Sequence, residues 1–501
     1  MGFNSFNFIL IFLPILLVIW HLLNRAKKYT LANLFLTAMS LYYYYTFGAS
    51  FLFILLLSIA VNYGLSFLME KKTDFRKPAR VIGVLFNLGL LFYLKYLGFF
   101  LDNINLVSGG NLSVKEILMP IGISFFTFGQ ISFIVDRAKG EAPHYSFLDY
   151  ALYTVYFPKL IQGPIAFHKE MIDQFRNTEL RKFNSDTFAR GLMSFIIGLG
   201  KKVILADVLA KSVNYGFHYT YYMDTLTVIA VMLAYTFQIY LDFSGYCDMA
   251  SGVSMMLGYK LPVNFNSPYK AATAKELWQR WHMTLSRFFI KYVYIPLGGS
   301  RKGKVRTIIN VLIVFVLSGL WHGAGWTYIC WGLMQGLLVV WDDLGIVGVG
   351  EGQKKYLFRE KPFIMVPKAV GNFLTFLMFI VSLVFFRSQD MTYAIQMFKQ
   401  FFFWTYPGFL YRTASQLEIA ENYIPRQLVT QLGIPGGDNI VYVATLVLYL
   451  LVSGFIMTRN NTQEIVENAT FSKKQVLGIA IIFIWSFISL SDVSTFIYFQ
   501  Y

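Results

Sequence analysis

The sequence predicts an all-α bundle of membrane-spanning helices, from an apolar composition, repeated apolar runs and basic residues confined to short loops. Of 501 residues, 56% are hydrophobic and only 14% are charged, unlike a soluble protein. Apolar runs cover residues 6–23, 31–47, 51–68, 81–101 and 308–320. Most approach the roughly 20 residues that a bilayer crossing requires. Because lipid offers no water to backbone amides, runs that cross must be helical.

The basic loops predict an orientation in the membrane. Arg25, Lys27 and Lys28 follow the first run, which lacks a basic region before it and a small-residue cleavage site, so we expect an uncleaved span. Basic residues also concentrate in 71–80 and 301–306. The positive-inside rule places these loops in the cytoplasm and the N-terminus outside. Poor in basic residues, the stretch 388–439 is expected outside, as is the C-terminus.

The chain is expected to form one membrane domain over residues 1–501, with an outer segment at 388–439 and a C-terminal tail at 491–501. We expect about 11 crossings plus re-entrant or interfacial helices. Three apolar runs in the middle are interrupted by proline or charge, at Pro158, Pro164, Lys201, Lys202, Asp242 and Asp248. Broken segments at membrane depth are tolerated only where they face protein or a water-filled cavity.

Charge and motif content exclude several classes of function. The formal charge of +16 comes from loops rather than from a nucleic-acid-binding face, so we expect no nucleic-acid partner. Two cysteines cannot form a disulfide framework. The chain has no phosphate-binding glycine loop, no Gly-x-Ser-x-Gly elbow and no His-Glu-x-x-His site. Its six histidines lack metal-ligand spacing, so no metal is expected.

His322 is the first candidate for chemistry, because it ends an apolar run and is followed by glycine. Trp321 and Trp326 flank it, and Gly323 and Gly325 permit a sharp break of the helix. An imidazole can act as a general base near neutral pH. These residues alone equally allow a histidine bonded to a neighbouring helix or placed in an interfacial aromatic belt.

The second candidate is His282, which ends the run Trp278, Gln279, Arg280, Trp281, His282. Tryptophan and leucine recur at helical spacing around it, and this pattern predicts one amphipathic helix at the cytoplasmic interface. The basic residues of this helix face either lipid head groups or the phosphates of a coenzyme or carrier.

Asp242 and Asp248 form the third polar cluster in otherwise apolar sequence. Six residues apart, they do not share one face of a regular helix, so a cooperating carboxylate pair is not expected. Each is expected to cap a helix or to pair with an arginine.

Six short sequence motifs, taken in their order along the chain, resemble those of a known family. They lie at residues 119–128, 158–164, 240–246, 278–282, 294–300 and 320–323. In this order the blocks resemble bacterial membrane-bound O-acyltransferases of the alginate O-acetyltransferase branch, with the core motifs at 119–326. The resemblance implies a tunnel-forming helical bundle in the bacterial cytoplasmic (inner) membrane. It implies His322 and His282 as the catalytic histidines, supported along the tunnel by Trp321, Trp281, Gln279, Arg280 and Asp242.

The final residues, 496–501, resemble the tail of the small partner peptide of teichoic acid D-alanylation and of related acetylating enzymes. In those systems the tail tyrosine is proposed to accept the acyl group, which implies Tyr498 as an acyl relay. A phenol is a competent acceptor once a base removes its proton. From the residues alone, the tail also fits a terminal belt of interfacial aromatics.

These features together predict a membrane O-acetyltransferase. An acyl donor, expected to be acetyl-CoA, enters from the cytoplasm, and the acetyl group leaves outward by way of His322 and Tyr498. The resemblance implies an extracytoplasmic SGNH-type acetyltransferase as partner and a cell-surface polysaccharide as final acceptor. Two alternatives stay open: D-alanyl transfer to teichoic acid, and a proton-coupled transporter or flippase that uses the buried histidines and aspartates.

Overall fold

A computed structural model describes residues 1–113, 118–350, 356–417 and 419–492, and helices make up nearly all of its regular structure. The main helices are Asn7–Phe12, Leu13–Arg25, Tyr29–Tyr45, Ala49–Lys71, Arg76–Leu91, Phe92–Tyr96, Leu97–Ser108, Ile123–Lys139, Phe147–Val155, Phe157–Leu160, His168–Arg176, Ser185–Gly200, Lys201–Ala206, Asp207–His218, Thr225–Met256, Ala274–Arg280, Met283–Phe289, Ile290–Tyr294, Lys304–His322, Trp326–Leu344, Lys368–Arg387, Met391–Gln400, Gly408–Ser415, Tyr423–Gln431, Gly437–Thr458, Thr462–Glu467 and Lys473–Ile488. Two three-residue strands, Val347–Val349 and Ile364–Val366, pair in parallel. The predicted all-α class is confirmed.

Among the described residues, seven helical segments are long and apolar enough to cross a membrane. They are Asn7–Arg25, Ala49–Lys71, Thr73–Ser108, Thr225–Met256, Lys304–His322, Lys368–Arg387 and Gly437–Thr458. Several carry exposed large apolar side chains, such as Phe53, Leu85 and Leu451, which suit a lipid environment rather than water. The expected number of about 11 crossings stays a prediction.

In the middle of the chain, the helix breaks near a proline but continues through two aspartates. Near Pro158 the helix does break: one helix ends at Val155 and a four-residue helix follows. At Asp242 and Asp248 the expected interruption is wrong, because Thr225–Met256 is one continuous helix of 32 residues. Asp242 stays inside this helix because a buried lysine, described below, compensates its charge.

Packing divides the chain into two compact units. The first comprises Met1–Gly198, Tyr246–Val263 and Val466–Ala480. The second comprises Leu199–Gly245, Asn264–Ile465 and the described residues from 481 to 492. The expectation of a single domain therefore stays a prediction.

An aromatic cluster forms the core of the first unit. The rings of Phe3 and Phe8 lie 4.9 Å apart, those of Phe8 and Phe12 5.3 Å, and those of Tyr43 and Phe157 5.1 Å. All five side chains are buried. Offset and edge-on ring pairs of this kind stabilise beyond the area that they bury, which accounts for part of the unusual phenylalanine and tyrosine content.

A tight helical hairpin organises the second unit and positions His322. Lys304–His322 runs directly into Trp326–Leu344. The two helices cross at Gly319 and Gly332, where an added Cβ would overlap the carbonyl oxygens of Tyr328 and Phe315 respectively. Small residues at such a crossing let two backbones approach closely inside a membrane. The turn of the hairpin is therefore held at a fixed place in this unit.

Candidate active site

His322 is the last residue of the first hairpin helix, and the next helix begins at Trp326. The break that Gly323 and Gly325 predict is confirmed. The His322 side chain is only 3% exposed and lies against three aromatic rings. Ring centroids are 4.9 Å away for Trp321, 5.2 Å for Trp331 and 5.1 Å for Phe386. The imidazole of His322 therefore lies inside an aromatic pocket and not at a polar interface.

A chain of polar contacts supports this pocket from outside. Trp278 stacks edge-on against Trp331 at 5.7 Å, and its indole N–H donates to Gln335 Oε1 at 3.2 Å. The amide of Gln335 in turn donates to Ser382 Oγ at 2.7 Å. These buried hydrogen bonds join three helices, two of which carry Trp331 and Phe386. They therefore limit the movement of the rings around His322.

His282 occupies a break between two short helices. Ala274–Arg280 ends before Trp281, and Met283–Phe289 begins after His282. The single amphipathic helix predicted across this region is therefore wrong. His282 adopts a left-handed backbone conformation, φ 44° and ψ 49°, which is uncommon for a residue other than glycine. The helical spacing of tryptophans did not reveal this, because the break depends on contacts to a distant loop residue, Asn264.

The two candidate histidines meet in the second unit. Their ring centroids lie 6.4 Å apart, and His282 is 1% exposed. The His282 ring also packs edge-on against Phe243 at 4.8 Å and against Trp321 at 5.8 Å. Its Nδ1 lies 2.9 Å from Asn264 Oδ1. Two imidazoles at this separation, with water largely excluded, can share the binding and deprotonation of one small acceptor group.

Burial strongly favours the neutral form of His282. This residue lies outside the seven candidate spans, and desolvation lowers its pKa from 6.5 to about 3. At neutral pH the ring is uncharged, so it can accept a proton or a hydrogen bond through one nitrogen and donate through the other.

The burial of His282 predicts acid sensitivity of the fold. Between the unfolded pKa of 6.5 and the folded pKa of about 3, the unfolded chain binds more protons than the folded one. The free energy of unfolding should therefore fall as pH falls through this window, by up to about 1.4 kcal/mol per pH unit. Thermal unfolding of detergent-solubilised protein between about pH 7 and pH 4 measures it. His282→Gln should flatten the slope and the exposed His218→Gln should not; equal slopes in both variants would contradict the assignment.

The remaining predicted site residues divide into two groups. Trp321 and Trp281 are buried at the site, Trp281 with its ring 5.1 Å from Phe265 and 5.2 Å from Phe379. Gln279 is exposed, and Arg280 pairs with Glu276 at 2.9 Å and donates to the Asn266 carbonyl. The structure thus places Trp321 against both histidine rings, packs Trp281 on Phe265, which itself contacts His282, and directs Arg280 to Glu276 and Asn266.

Asp242 belongs to a buried ion cluster with Lys202. The Lys202 ammonium lies 2.6 Å from Asp242 Oδ1 and 2.8 Å from Asp207 Oδ1, and all three side chains are buried. The sequence did not predict this lysine, and the expected helix cap or arginine partner stays a prediction. The following residue, Phe243, packs on the His282 ring, so the cluster holds the helix turn that carries this contact.

Sequence reasoning missed Trp331, Phe386 and Asn264. Trp331 and Phe386 come from helices beyond His322, and no local motif marks them as its neighbours. Asn264 lies 18 residues before His282. A polar residue in the loop leading to the Trp278 helix was the available signal. Within the residues that the structure describes, no group of three or more His, Cys, Asp or Glu is arranged to hold a metal ion.

Comparison with known proteins defines the class to which this site belongs. A model of the membrane-bound O-acyltransferase family matches residues 113–345, which include both histidines, Asn264 and the helical hairpin. The similarity to the relatives below extends over most of the chain. The chain belongs to the membrane-bound O-acyltransferase family and is a multi-pass membrane O-acyltransferase.

Two relatives named for acetylation and one named for D-alanyl transfer are similar to the chain to different extents. The chain is 36% identical to the peptidoglycan O-acetyltransferase of Helicobacter pylori over an alignment of 426 positions, and this alignment covers 79% of each protein. It is 35% identical to the probable alginate O-acetylase AlgI of Pseudomonas syringae over 412 residues, 80% of this chain and 75% of the relative. Similarity to the teichoic acid D-alanyltransferase of Streptococcus thermophilus is lower, 26% over 295 residues, 54% of this chain and 69% of the relative.

Proposed function

We propose that this protein transfers an acetyl group from cytoplasmic acetyl-CoA, across the membrane, for O-acetylation of a cell-surface polysaccharide. The observation that carries the proposal is the meeting of two buried histidines, 6.4 Å apart, at the turn of a glycine-packed hairpin. The relatives named for acetylation of peptidoglycan and alginate, at 36% and 35% identity, support acetyl as the group transferred. The lower and shorter similarity to D-alanyltransferases argues against D-alanine.

The proposed chemistry is a transfer from thioester to oxygen. His322 removes the proton of an acceptor hydroxyl, and the oxygen attacks the carbonyl carbon of the acetyl thioester. A carbon–oxygen bond forms, the carbon–sulfur bond breaks, and the proton passes to the departing thiolate. A general base of this kind contributes about 10²–10⁴-fold to the rate. Neutral His282 accepts or donates a hydrogen bond beside it, and the surrounding rings keep water from hydrolysing the thioester.

Orientation follows from the basic loops. Arg301, Lys302, Lys304 and Arg306 are exposed side chains at the start of the hairpin. The positive-inside rule assigns them to the cytoplasm, and with them the side from which the donor arrives. On the same rule both termini lie outside a bacterial cytoplasmic membrane.

On the outer side the acetyl group passes to a separate extracytoplasmic acetyltransferase of the SGNH type, which esterifies the polysaccharide. The outer segment offers it a docking surface, because Phe402, Trp404 and Tyr406 are 76%, 73% and 78% exposed there. Large exposed aromatics of this kind are enriched where proteins bind one another.

Tyr498, which lies outside the described residues, is proposed as the acceptor that carries the acetyl group outward. Tyr498→Phe should abolish acetylation of the polysaccharide in cells while leaving the amount of membrane-inserted protein unchanged, because only the phenol oxygen can form the ester. Tyr501→Phe is the matched control and should transfer normally. Undiminished polysaccharide acetylation in Tyr498→Phe would show that the acetyl group travels by another route.

The function as a whole is tested with purified protein in liposomes. Acetyl-CoA should be consumed with release of about one free thiol per protein chain, because Tyr498 is the only acetyl acceptor that this assay supplies, and only when protein is present. A transporter or flippase with the same buried residues would leave the thioester intact. Consumption of a D-alanyl carrier thioester but not of acetyl-CoA would instead support D-alanyl transfer.

A further inference from the structure

We propose that Asn264 is a positioning residue, which holds the ring proton of His282 on Nδ1 and so makes Nε2 the accepting nitrogen of the site. The catalytic role of Asn264 rests on the proposed acyl transfer. His282 and His322 then have different roles in the same transfer, whatever the identity of the two substrates.

The identity of the Asn264 amide atoms follows from Thr284. The backbone N–H of Thr284 points at Asn264 Oδ1 at 3.4 Å, and its hydroxyl donates to the same atom at 2.8 Å. A backbone N–H can only donate, so the amide atom that faces it must be the oxygen. With the amide reversed, two N–H groups would point at each other. The atom 2.9 Å from His282 Nδ1 is therefore an acceptor, and Nδ1 carries the proton.

Asn264 also holds the backbone of His282. Its carbonyl accepts the N–H of Met283 at 2.9 Å, directly after the left-handed residue. A left-handed conformation is unfavourable for a residue with a side chain, and it persists only where surrounding contacts require it. One residue thus fixes both where the imidazole stands and which tautomer it adopts. Asn264, His282 and Thr284 are all buried, so water does not compete with these bonds.

The consequence concerns the acceptor group in the pocket. A neutral ring with its proton on Nδ1 presents a lone pair at Nε2, which can orient an acceptor hydroxyl or the ring of His322. Of the rings that pack against His282, those of Phe243, Phe265 and Trp321 do not titrate, and that of His322 does. We infer that His282 orients through Nε2 while His322 removes the proton.

Nitrogen NMR of the complete protein, labelled only at its histidine rings, tests the tautomer without any substrate. The signal that disappears in His282→Gln should be that of a neutral ring protonated on Nδ1. Asn264→Ala should change this signal, whereas Asn266→Ala, on the same loop, should leave it unchanged. A His282 ring protonated on Nε2 in the wild type would overturn the proposal, even if Asn264→Ala proved unable to fold.

The catalytic role is tested by the rate of acetyl-CoA consumption at several pH values. Asn264→Ala should lower the maximal rate constant of the thiol burst by about 10- to 100-fold with little change in the half-saturating acetyl-CoA concentration, the range seen when the hydrogen-bond partners of metal-ligating histidines are removed. Asn264→Asp keeps the accepting oxygen but adds a negative charge, which raises the pKa of His282. Its rate should therefore fall as pH is lowered, and this fall should begin at a higher pH than in the wild-type protein.

The outcomes separate this inference from the proposed function. A merely structural asparagine would let Asn264→Asp work with the wild-type pH profile, which would contradict the positioning role. Wild-type protein that consumes no acetyl-CoA would refute the proposed function, while the tautomer measured by NMR would still decide the assignment of the ring proton.

Discussion

Replacing His322 with glutamine will lower the rate of acetyl-CoA consumption by about 10²–10⁴-fold in protein that still folds. Glutamine keeps polarity and approximate size inside the cage of Trp321, Trp331 and Phe386 but cannot take up a proton at neutral pH. Because the missing interaction acts in the transition state, kcat should fall and KM should change little. With Tyr498 as the acceptor, the rate of the single burst of thiol release at increasing acetyl-CoA concentrations gives the maximal rate constant and the half-saturating concentration that correspond to these two constants.

The exposed His218→Gln is the matched control, since it removes a histidine from the same unit without touching the pocket. The control should retain the wild-type rate. A His322→Gln protein that unfolds at the wild-type temperature and turns over at the wild-type rate would remove His322 from the mechanism. In that case His282 would be the next candidate for the base.

Replacing Lys202 with methionine will destabilise the protein by about 3–5 kcal/mol, the largest stability effect that we expect. Methionine fills a similar volume but removes the ammonium that lies 2.8 Å from Asp207 and 2.6 Å from Asp242, two buried carboxylates. Removal of one partner from a buried ion cluster exposes the full desolvation cost of the others. Unfolding of the detergent-solubilised protein by heat or denaturant gives the magnitude.

Two variants make this result interpretable. Lys201→Met removes the neighbouring lysine, which is half-buried and donates to Ser244 at 3.4 Å, and should cost far less. Adding Asp207→Asn and Asp242→Asn to Lys202→Met should restore much of the stability, because the two buried negative charges disappear together with the positive one. Equal losses in Lys201→Met and Lys202→Met would contradict the view that charge compensation, rather than side-chain packing, stabilises this helix.

Much of the architecture could be predicted from sequence because membrane helices obey local rules. Apolar runs predicted the spans Asn7–Arg25, Ala49–Lys71 and Lys304–His322 to within a few residues. The break after His322 was predictable because glycines follow it directly. These features depend on residues close together in the chain, where composition and spacing contain the information.

The errors arose where distant residues decide the structure. Asp242 was expected to interrupt its helix, but Lys202, 40 residues away, compensates its charge. The tryptophan spacing around His282 predicted a continuous helix, but Asn264 binds the backbone at Met283 and breaks it. The spacing of apolar residues indicates which secondary structure a segment prefers in isolation. Hydrogen bonds and ion pairs to distant residues can override that preference.

The candidate site was only partly predictable. His322 and the glycines after it form a recognisable local pattern, yet the residues alone left a structural role equally open. The ordered motifs of the family favoured the catalytic role, which stays a proposal. Trp331 and Phe386, which enclose its ring, have no sequence signature, because apolar residues on membrane helices are common and only folding selects which ones meet.

Sealed liposomes with one orientation of the protein test the central claim, transmembrane acetyl transfer through His322. Acetyl-CoA labelled in its acetyl group is supplied on the side of the Arg301–Arg306 loop, and protease is added to the opposite side. The account predicts labelled acetyl on the released C-terminal peptide with wild-type protein and none with His322→Gln. Label that never reaches the opposite side, or that reaches it equally with His322→Gln, would contradict the account.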